Sequence, residues 1–502
     1  MRARAGVLLA LSLAMGIGTA AAAQTLRIGL AEDPDILDPT QGRTFVGRIV
    51  FAALCDKLLD ISPTLKIVPQ LALDYQWAPD ARSVTFKLRH GVKFHDGEPF
   101  NAAAVKFNIE RHKTMAGSTR KGELSAVSAV EVIDDYTVKF DLSTPDAPLL
   151  AQLTDRAGMM VSPKAAQAEG ANFGAHPVCS GPFKFTERVA QDRIVLDRFA
   201  DYWDKGKIHF DKVIFQPIPD STVRLSTLRS GGLDFIERVA APDLPTVRKD
   251  SNFKVASIVE LGYQGITFNV ANGERAKTPI GEDPRVRQAF ELAIDRSVIT
   301  QVVYNGEFAP GNQWVPPNNP YYVKSLPVPK RDLAKAKALL AAAGQPHPAV
   351  TLMVPNSPDL QQVGQVIQAM TKEAGFEVKL EASEFASALQ RAQKGDFQAF
   401  LVAWSGRSDP DGNIYNFVAC KAPLNDGHYC NADVDKELGL ARTAASPVER
   451  LKHYEQVATI TEKELPIIYL YHRQWFWAFT AKLTGFVEYP DGLVRLQGMT
   501  KG

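Results

Sequence analysis

The stretch VTFKLRHGVKFHDGEPFNAAAVKFNIER, residues 84–111, contains a complete strand–turn–helix unit. Val84, Phe86 and Leu88 alternate with polar residues, which is the period-two pattern of a half-buried strand. The dipeptides His-Gly and Asp-Gly then predict two turns, and Asn101 stands where an N-cap belongs, ahead of an alanine-rich helix. No group of catalytic residues lies inside the unit, which therefore favours a scaffold for binding.

The overall composition is that of an ordinary globular protein. The chain has 57 basic and 56 acidic residues, with 45% hydrophobic and 23% charged residues. Because there is no basic excess, no nucleic-acid partner is expected. A chain of 502 residues is too long for one hydrophobic core, so two or three subdomains are predicted.

Residues 1–23 have the pattern of a secretory signal peptide. Arg2 and Arg4 form a charged start, an apolar centre follows, and three alanines precede Gln24. The apolar centre is shorter than the roughly 20 residues that a membrane-spanning helix needs. We expect cleavage and export to the periplasm; an uncleaved anchor is the alternative. No cysteine stands at the cleavage point, so no lipid anchor is expected.

The four cysteines are typical of an oxidising compartment. Cys420 and Cys430 enclose a short loop rich in Gly, Pro and Asn, and are predicted to form one disulfide. Cys55 and Cys179 are predicted to form the second, although four cysteines allow three pairings and free buried thiols are an alternative. No C-x-x-C occurs, so no zinc site is expected.

Beyond residue 180 the pattern alternates between strands and helices. The strands FKFTER, IVLDRF and KVIFQPI precede a helix that is capped near Asp220 and stopped by Gly231-Gly232, and LDF begins another strand. A strand–helix–strand order predicts a right-handed crossover between parallel strands. The fold class is therefore α/β, with a mixed sheet.

Several of these segments together resemble the extracytoplasmic solute-binding proteins, family 5, which serve peptide and nickel ABC importers. The similar segments are VTFKLRHGVKFHDGEPF, SGPFKF, DRFADYWDKG, DKVIFQPIPDSTVRLSTLRSG, DPRVRQAFELAIDR, KAKALLAAAG and the WSGRSDPDG region. They occur in the family order over nearly the whole chain after residue 23. A chance resemblance would not reproduce so many independent motifs in order.

The resemblance implies the two-lobed periplasmic binding protein fold (type II, cluster C), with an extra subdomain inserted in the first lobe. On this map the first lobe comprises residues 24–55, 180–268 and 484–502, the insert residues 56–179, and the second lobe residues 269–483. Cys55 and Cys179 then mark the two ends of the insert. A disulfide between them would close its base.

The loop WSGRSDPDGN is the best candidate for ligand contact. It follows the buried strand FQAFLVAW, and ligands of α/β folds collect at the carboxyl ends of strands. Trp404 and Asp409 are the predicted contacts in it. Asp409, Asp411 and Asn413 also resemble the start of a calcium loop, but its twelfth position would be Cys420 instead of Glu. No metal or other cofactor is therefore expected.

Both charge anchors of a dipeptide are changed relative to the family. Dipeptide-binding relatives carry an Asp shortly after this Trp-x-Gly, whereas here Arg407 follows Gly406. They also carry an Arg in the segment that here reads MVPNSPDL, near Asn356. Arg407 is a planar donor suited to a carboxylate or phosphate, so we predict that it binds an anionic group of the solute. The alternative is a structural pair with Asp409 or Glu384.

Aromatic and amide side chains are predicted to shape the pocket. Tyr263 and Gln264 come just before ITFNV, a strand expected to join the lobes. The remaining aromatic candidates, besides Trp404, are Trp314, Tyr415 and Phe45. The run Trp-Phe-Trp at residues 475–477 is assigned to packing. For each aromatic residue taken alone, core packing is an equally good interpretation.

The predicted function is that of the periplasmic solute-binding component of an ABC importer. The resemblance implies a peptide or peptide-like solute, which the hypothesis for Arg407 makes an anionic one, and, as partners, a membrane permease with its ATPase. The protein is expected to be a monomer. No G-x-S-x-G, H-E-x-x-H or phosphate-binding G-x-x-x-x-G-K motif occurs, so no enzyme is predicted. The alternatives are a nickel- or chelate-binding protein, an oligosaccharide-binding protein, and an exported hydrolase.

Overall fold

A computed structural model describes residues 24–444 and 446–502 of the protein; the predicted signal peptide lies outside the described residues. The strands are β1 Thr25–Leu30, β2 Leu59–Ile61, β3 Ile67–Pro69, β4 Ala72–Trp77, β5 Ser83–Leu88, β6 Val127–Asp134, β7 Thr137–Leu142, β8 Phe183–Val189, β9 Arg193–Arg198, β10 Lys212–Pro217, β11 Phe235–Ile236, β12 Phe253–Val259, β13 Tyr263–Phe268, β14 Ala309–Pro310, β15 Ala349–Pro355, β16 Glu377–Ser383, β17 Ala399–Trp404, β18 Ile467–His472, β19 Gln474–Thr480, β20 Leu483–Thr484 and β21 Thr500–Lys501. The α-helices are α1 Phe45–Leu54, α2 Ala102–Thr114, α3 Leu149–Gln152, α4 Pro163–Glu169, α5 Ser221–Arg229, α6 Leu244–Lys249, α7 Pro279–Glu282, α8 Pro284–Leu292, α9 Arg296–Tyr304, α10 Leu333–Ala342, α11 Pro358–Lys372, α12 Phe385–Gln393, α13 Asp411–Val418, α14 Ala432–Thr443 and α15 Pro447–Glu464.

Two mixed sheets form the centres of two lobes. The first has the order β12-β19-β11-β1-β10-β9-β8 and the second β14-β18-β13-β17-β15-β16. In the first sheet β1 pairs in parallel with both β10 and β11. Helix α5 connects β10 to β11, and its N-cap is Asp220. The structure thus confirms the predicted helical connection between parallel strands and the α/β fold class.

The signature stretch lies in a third unit, whose antiparallel sheet has the order β4-β5-β7-β6. Val84, Phe86 and Leu88 face its core, each at most 1% exposed. The Asn101 side chain accepts a hydrogen bond from the backbone N–H of Ala104 at 3.0 Å, as expected of an N-cap. The strand, the cap and the helix predicted from this stretch are all confirmed.

The chain passes between the two large sheets twice. Residues 260–262 connect β12 of the first sheet to β13 of the second, and Arg473 connects β18 of the second sheet to β19 of the first. The expected boundaries at 268/269 and 483/484 differ from these two crossings, because β13 pairs with β17 and β18 while β19 pairs with β11 and β12. We propose 24–55, 180–260 and 474–502 for the first lobe, with 56–179 as its insert.

Both predicted disulfides are present. Cys55 and Cys179 are joined at an S–S distance of 2.00 Å, and Cys420 and Cys430 at 2.06 Å. Cys55 directly follows α1, and the chain between the two cysteines contains the four-stranded sheet of the third unit. The first disulfide therefore closes the base of the third unit.

Among the described residues, no helix is both long and apolar enough to cross a membrane.

Candidate ligand-binding site

A cavity of about 350 Å³ lies between the two lobes. Its wall on the first lobe includes Asp33, Arg43, Phe45, Arg238 and Trp475, and Arg473 of the interlobe connection also lines it. Its wall on the second lobe includes Tyr263, Gln264, Asn356, Asp359, Trp404 and Asp426. Five predicted site residues are thus brought together here: Phe45, Tyr263, Gln264, Asn356 and Trp404.

Strand β13 carries a buried amide to this cavity. Gln264 lines it and is fully buried, and neither its Oε1 nor its Nε2 has a hydrogen-bond partner among the described residues. Its neighbour Tyr263 packs edge-on against Tyr469, with ring centroids 4.6 Å apart. Burial raises the pKa of Tyr263 well above its ordinary value, so its hydroxyl stays protonated. The strand therefore presents groups that donate and accept without carrying charge.

The loop after β17 is held against the interlobe connection. The indole N–H of Trp404 donates to Oδ1 of Asn413 at 3.0 Å. Gly262 approaches so closely that a Cβ there would lie 1.8 Å from the carbonyl oxygen of Trp404. Gly406 has φ +82°, and a Cβ there would lie 2.3 Å from the backbone of Leu261. Only glycine fits at these two positions, which fixes where Trp404 meets the cavity.

An aromatic pair covers the first-lobe wall. The rings of Phe45 and Trp475 stack with centroids 4.4 Å apart and an interplanar angle of 11°. Trp475 donates its indole N–H to the carbonyl of Pro490 at 3.1 Å. The residues of the Trp-Phe-Trp run pack in the hydrophobic cores, as predicted, and Trp475 and Phe476 also line the cavity. Their position in a strand directly after the interlobe residue was the available signal.

Arg43 and Asp426, which both line the cavity, form an ion pair that joins the two lobes. Arg43 of the first lobe donates to Asp426 of the second at 2.6 Å, and both side chains are only about a tenth exposed. Arg43 also donates to the backbone carbonyl of Leu389 at 3.4 Å. The described structure therefore has the two lobes in contact across the cavity.

Two other arginines of the wall, Arg238 and Arg473, pair with neighbouring carboxylates. Arg238 pairs with Glu32 at 2.9 Å. Arg473 donates from Nε to Glu260 at 2.9 Å, which ties the two interlobe connections to each other. Burial raises the pKa of Glu260, and Arg473 opposes that rise. Arg238 therefore has little capacity left for a ligand, whereas the two Nη groups of Arg473 donate no hydrogen bond to the described residues.

Two carboxylates of the wall have spare acceptor capacity. Oδ2 of Asp33, which is 5% exposed, lies 3.2 Å from Nη2 of Arg188, whereas its Oδ1 has no hydrogen-bond partner among the described residues. Within the described part of the chain, the Asp359 side chain accepts a hydrogen bond only from the hydroxyl of Tyr304, at 3.3 Å. Both lie on the cavity wall, on opposite lobes. They are suited to a positively charged group of a solute, and sequence patterns did not single them out.

Arg407 does not lie on the described cavity wall. It is 4% exposed and absent from the cavity lining, and its guanidinium group lies 4.3 Å from the ring centroid of Trp404. Its Nη2 lies 3.3 Å from Oδ1 of Asp155 in the insert. Neither Asp409 nor Glu384, the structural partners considered from the sequence, pairs with it in the described residues. A partner 252 residues earlier in the chain could not be found from local patterns.

Three other predicted contacts also lie elsewhere. Asp409 is held by Arg450 through two hydrogen bonds of 2.8 and 2.9 Å. Tyr415 lies beneath Arg442, whose guanidinium carbon is 3.3 Å from the ring centroid. Trp314 is 1% exposed and borders a separate void of about 20 Å³. These side chains support the second lobe and do not reach the cavity.

The two aspartates of the calcium-like loop also form ion pairs. Asp411 pairs with Arg442 at 2.7 Å, and Asp409 pairs with Arg450. Within the described ranges 24–444 and 446–502, no group of three or more His, Cys, Asp or Glu side chains is placed to hold a metal ion. The resemblance to a calcium loop is thus limited to residue spacing.

Comparison with known proteins places this geometry in a family. The profile described as bacterial extracellular solute-binding proteins, family 5 Middle, matches residues 66–425. The glutathione-binding protein GsiB of Pectobacterium atrosepticum is 28% identical, over 91% of this chain and 90% of its own length.

Solved structures of similar proteins superpose on nearly the whole of this chain. AgaA from A. tumefaciens R10, in complex with agropinic acid, superposes with a TM-score of 0.87 at 29% identity, covering 95% of this chain and 99% of that one. DppA from Helicobacter pylori, in complex with the peptide STSA, gives 0.86 at 25% identity, covering 95% and 98%. These relatives are two-lobed periplasmic binding proteins. The chain belongs to family 5 of the bacterial extracellular solute-binding proteins.

Proposed function

We propose that this protein is the periplasmic solute-binding component of an ABC importer and that it captures a short peptide or peptide-like solute between its lobes. The observation that carries the proposal is the cavity of about 350 Å³ walled by both lobes. Its volume is at the lower end of the range for small-molecule sites. That size suits a solute of two or three residues. The names of the relatives, glutathione-binding GsiB and peptide-bound DppA, point the same way.

The wall chemistry supports a solute with amide and ammonium groups. The amide of Gln264 offers one acceptor and donors to a peptide group, which has the complementary pair. Asp33 and Asp359 offer carboxylate oxygens to an ammonium group. The stacked rings of Phe45 and Trp475 offer an apolar face to the solute's side chains.

Capture would proceed by closure of the lobes. The only covalent connections between the large sheets in the described residues are residues 260–262 and Arg473, so rotation about these segments opens the cavity. A solute that contacts both walls binds the closed state more tightly than the open one, and this difference drives closure. The pair Arg43–Asp426 forms only when the lobes meet, and adds to the stability of the closed state.

The partners of this proposal are a membrane permease and its ATPase, and the compartment is the periplasm. Support comes from the family and from the signal-like sequence of residues 1–23. Cell fractionation with N-terminal sequencing of the exported protein tests both the compartment and the cleavage. A mature chain that starts near Gln24 is expected; a full-length chain in the membrane fraction would contradict the proposal.

The solute is tested first by identification and then by titration. Native mass spectrometry of protein purified from its source reveals a co-purified solute, and unfolding followed by refolding removes it. Calorimetric titration with glutathione, di- to tetrapeptides, an oligosaccharide and a nickel–histidine complex then compares the solute classes. We expect one-to-one binding of glutathione or a short peptide. Binding of only the sugar or the nickel complex would refute the peptide assignment.

We further propose that the protein leaves its solute chemically unchanged. The relatives are binding proteins. Chromatography of the bound peptide after long incubation checks this directly. Turnover that a single carboxylate substitution abolishes would instead establish an exported hydrolase.

A further inference from the structure

Four buried arginines meet where the first lobe, the insert and the second lobe join. We call them, with their two carboxylate neighbours, the arginine cluster. Each of the six residues is at most 4% exposed. The cluster consists of Arg48, Arg120, Arg156, Arg407, Asp155 and Glu123.

Asp155 is the centre of the cluster. It pairs with Arg48, lies 3.3 Å from Nη2 of Arg407 and lies 3.4 Å from Nε of Arg156. Burial alone would raise the pKa of Asp155, but the surrounding guanidinium groups outweigh it and hold that pKa well below its usual range. One carboxylate therefore serves three arginines.

The fourth arginine has its own partner. Arg120 donates to Oε1 of Glu123 at 2.5 Å. Oε2 of Glu123 has no partner among the described residues, and Arg120 beside it supplies the compensating charge. Four guanidinium groups thus face two carboxylates, which leaves an excess of positive charge that is out of contact with solvent.

Burial does not remove this charge. It lowers the pKa of Arg407 to about 9 and that of Arg156 to about 9, so both groups remain protonated at neutral pH. An uncompensated buried charge is costly, and proteins normally pair such charges. The cluster lacks partners within the described residues for part of its positive charge.

The unsatisfied donors are on three of the arginines. Nε of Arg48, Nη2 of Arg156, and both Nε and Nη2 of Arg407 have no hydrogen-bond partner in the described part of the chain. Guanidinium groups bind carboxylate and phosphate oxygens through parallel N–H donors. Both the missing charge and the free donors therefore match one oxyanion.

The cluster lies directly behind the cavity wall. Arg48 donates from Nη1 to the hydroxyl of Ser405 at 2.9 Å, and Ser405 lines the cavity. Arg407 packs against Trp404, which lines it as well. We propose that the arginine cluster binds one oxyanion, a carboxylate or phosphate group, when the lobes are closed.

Binding there would connect all three parts of the molecule. Arg48 belongs to α1 of the first lobe, Arg156 to the insert and Arg407 to the loop after β17 in the second lobe. An anion held by all three is available only while the lobes are together. The anion has two possible sources: a carboxylate of the solute, in which case the inference rests on the proposed function, or a free anion that enters independently.

The test begins with wild-type protein freed of solute. Sodium acetate and sodium phosphate are titrated by calorimetry at constant ionic strength made up with sodium chloride. We expect saturable binding at one site. Arg407→Met should weaken this binding at least tenfold. Absence of saturable binding to the wild type, or an unchanged affinity in Arg407→Met, would overturn the proposal.

A matched control separates the cluster from arginines in general. Arg450 is also buried, at 6% exposed, but Asp409 balances its charge. Arg450→Gln should keep the wild-type affinity for acetate, and a tenfold loss there would count against a specific site. If Arg407→Met fails to fold by circular dichroism, Arg407→Lys replaces it: the charge stays, the planar donor pair is lost, and weaker acetate binding is still expected.

The source of the anion is decided by repeating the acetate titration at saturating glutathione, or at saturating amounts of the tightest peptide of the panel. Loss of acetate binding assigns the site to the solute's carboxylate; retention assigns it to a free anion. If no solute of the panel binds, the proposed function fails. The acetate titration of the wild type still tests whether the arginine cluster binds an anion. The two failures are therefore distinguishable.

Discussion

Replacement of Gln264 by leucine should separate solute binding from stability. The amide of Gln264 is fully buried on the cavity wall, and both of its polar atoms are without partners in the described residues. A solute that pairs with both atoms gains about 1 kcal/mol from each neutral hydrogen bond. Gln264→Leu should therefore weaken solute binding by about 2 kcal/mol, roughly thirtyfold.

The same substitution should not lower the stability of the solute-free protein. Leucine has a similar volume and removes two buried polar atoms that lack partners, so the free energy of unfolding should stay the same or rise. Few substitutions of buried polar residues are expected to leave folding unharmed. This combination, weaker binding with intact stability, identifies a side chain that is reserved for the solute.

A buried glutamine away from the cavity provides the control. Gln313, 2% exposed, accepts from the backbone N–H of Val323 at 2.8 Å and donates to its carbonyl at 2.8 Å. Gln313→Leu leaves both backbone groups buried without partners, at a cost of about 1–3 kcal/mol each. It should lower stability and leave solute affinity unchanged, the opposite of Gln264→Leu.

Calorimetry with glutathione, or with the tightest peptide of the panel, measures the affinities, and urea unfolding of solute-free protein measures the stabilities. An affinity of Gln264→Leu within twofold of the wild type would refute the role of this amide. So would a loss of stability in Gln264→Leu as large as that in Gln313→Leu, because the amide would then be supporting the fold.

Three further perturbations address closure, cross-linking and pH. Arg43→Gln and Asp426→Asn should each weaken solute binding by about fivefold, or about 1 kcal/mol, mainly through faster dissociation in stopped-flow measurements. The double variant should bind solute no more weakly than the single variant with the lower affinity. Additive losses of affinity would mean that the pair does not act as a unit. Joint replacement of Cys55 and Cys179 by alanine opens a 124-residue loop and should cost about 5 kcal/mol in urea unfolding, against about 3 kcal/mol for the ten-residue loop of the other disulfide; equal losses would contradict the loop-length argument. Burial raises the pKa of Asp56 to about 7, so its folded form holds a proton that the unfolded form has released, and stability falls as pH rises from about 4 to about 7. Relative to the wild type, the free energy of unfolding of Asp56→Asn should rise by up to about 4 kcal/mol across that range. Parallel curves of stability against pH for the two proteins would rule out this titration.

Local sequence patterns were sufficient to predict many parts of the fold. Asn101 and Asp220 cap their helices as predicted because capping depends on a side chain and backbone groups two or three residues away. The alternation of Val84, Phe86 and Leu88 determined which face of β5 is buried, since side chains alternate along any strand. The disulfide pairing also followed, because one pair encloses a short loop and the other then remains.

Lobe boundaries were not determined by such patterns. Strand β13 was expected in the first lobe, and β19 in the second, yet each pairs in the other sheet. A strand's own residues specify that it is extended and which face is apolar. Which sheet it joins depends on hydrogen bonds to strands far away in the chain, as between β13 and β17.

In the binding site, too, the sequence predicted what depends on neighbouring residues but not what depends on residues far apart in the chain. The sequence of this protein was enough to identify its family, its α/β class, its disulfides and the two segments, around Tyr263 and Trp404, that border the cavity. It did not reveal that Arg407 turns towards Asp155 of the insert, because a charged side chain takes whichever partner the folded chain brings near. That choice, like the unpaired amide of Gln264, exists only once residues hundreds of positions apart share one buried space and compete for the same hydrogen bonds.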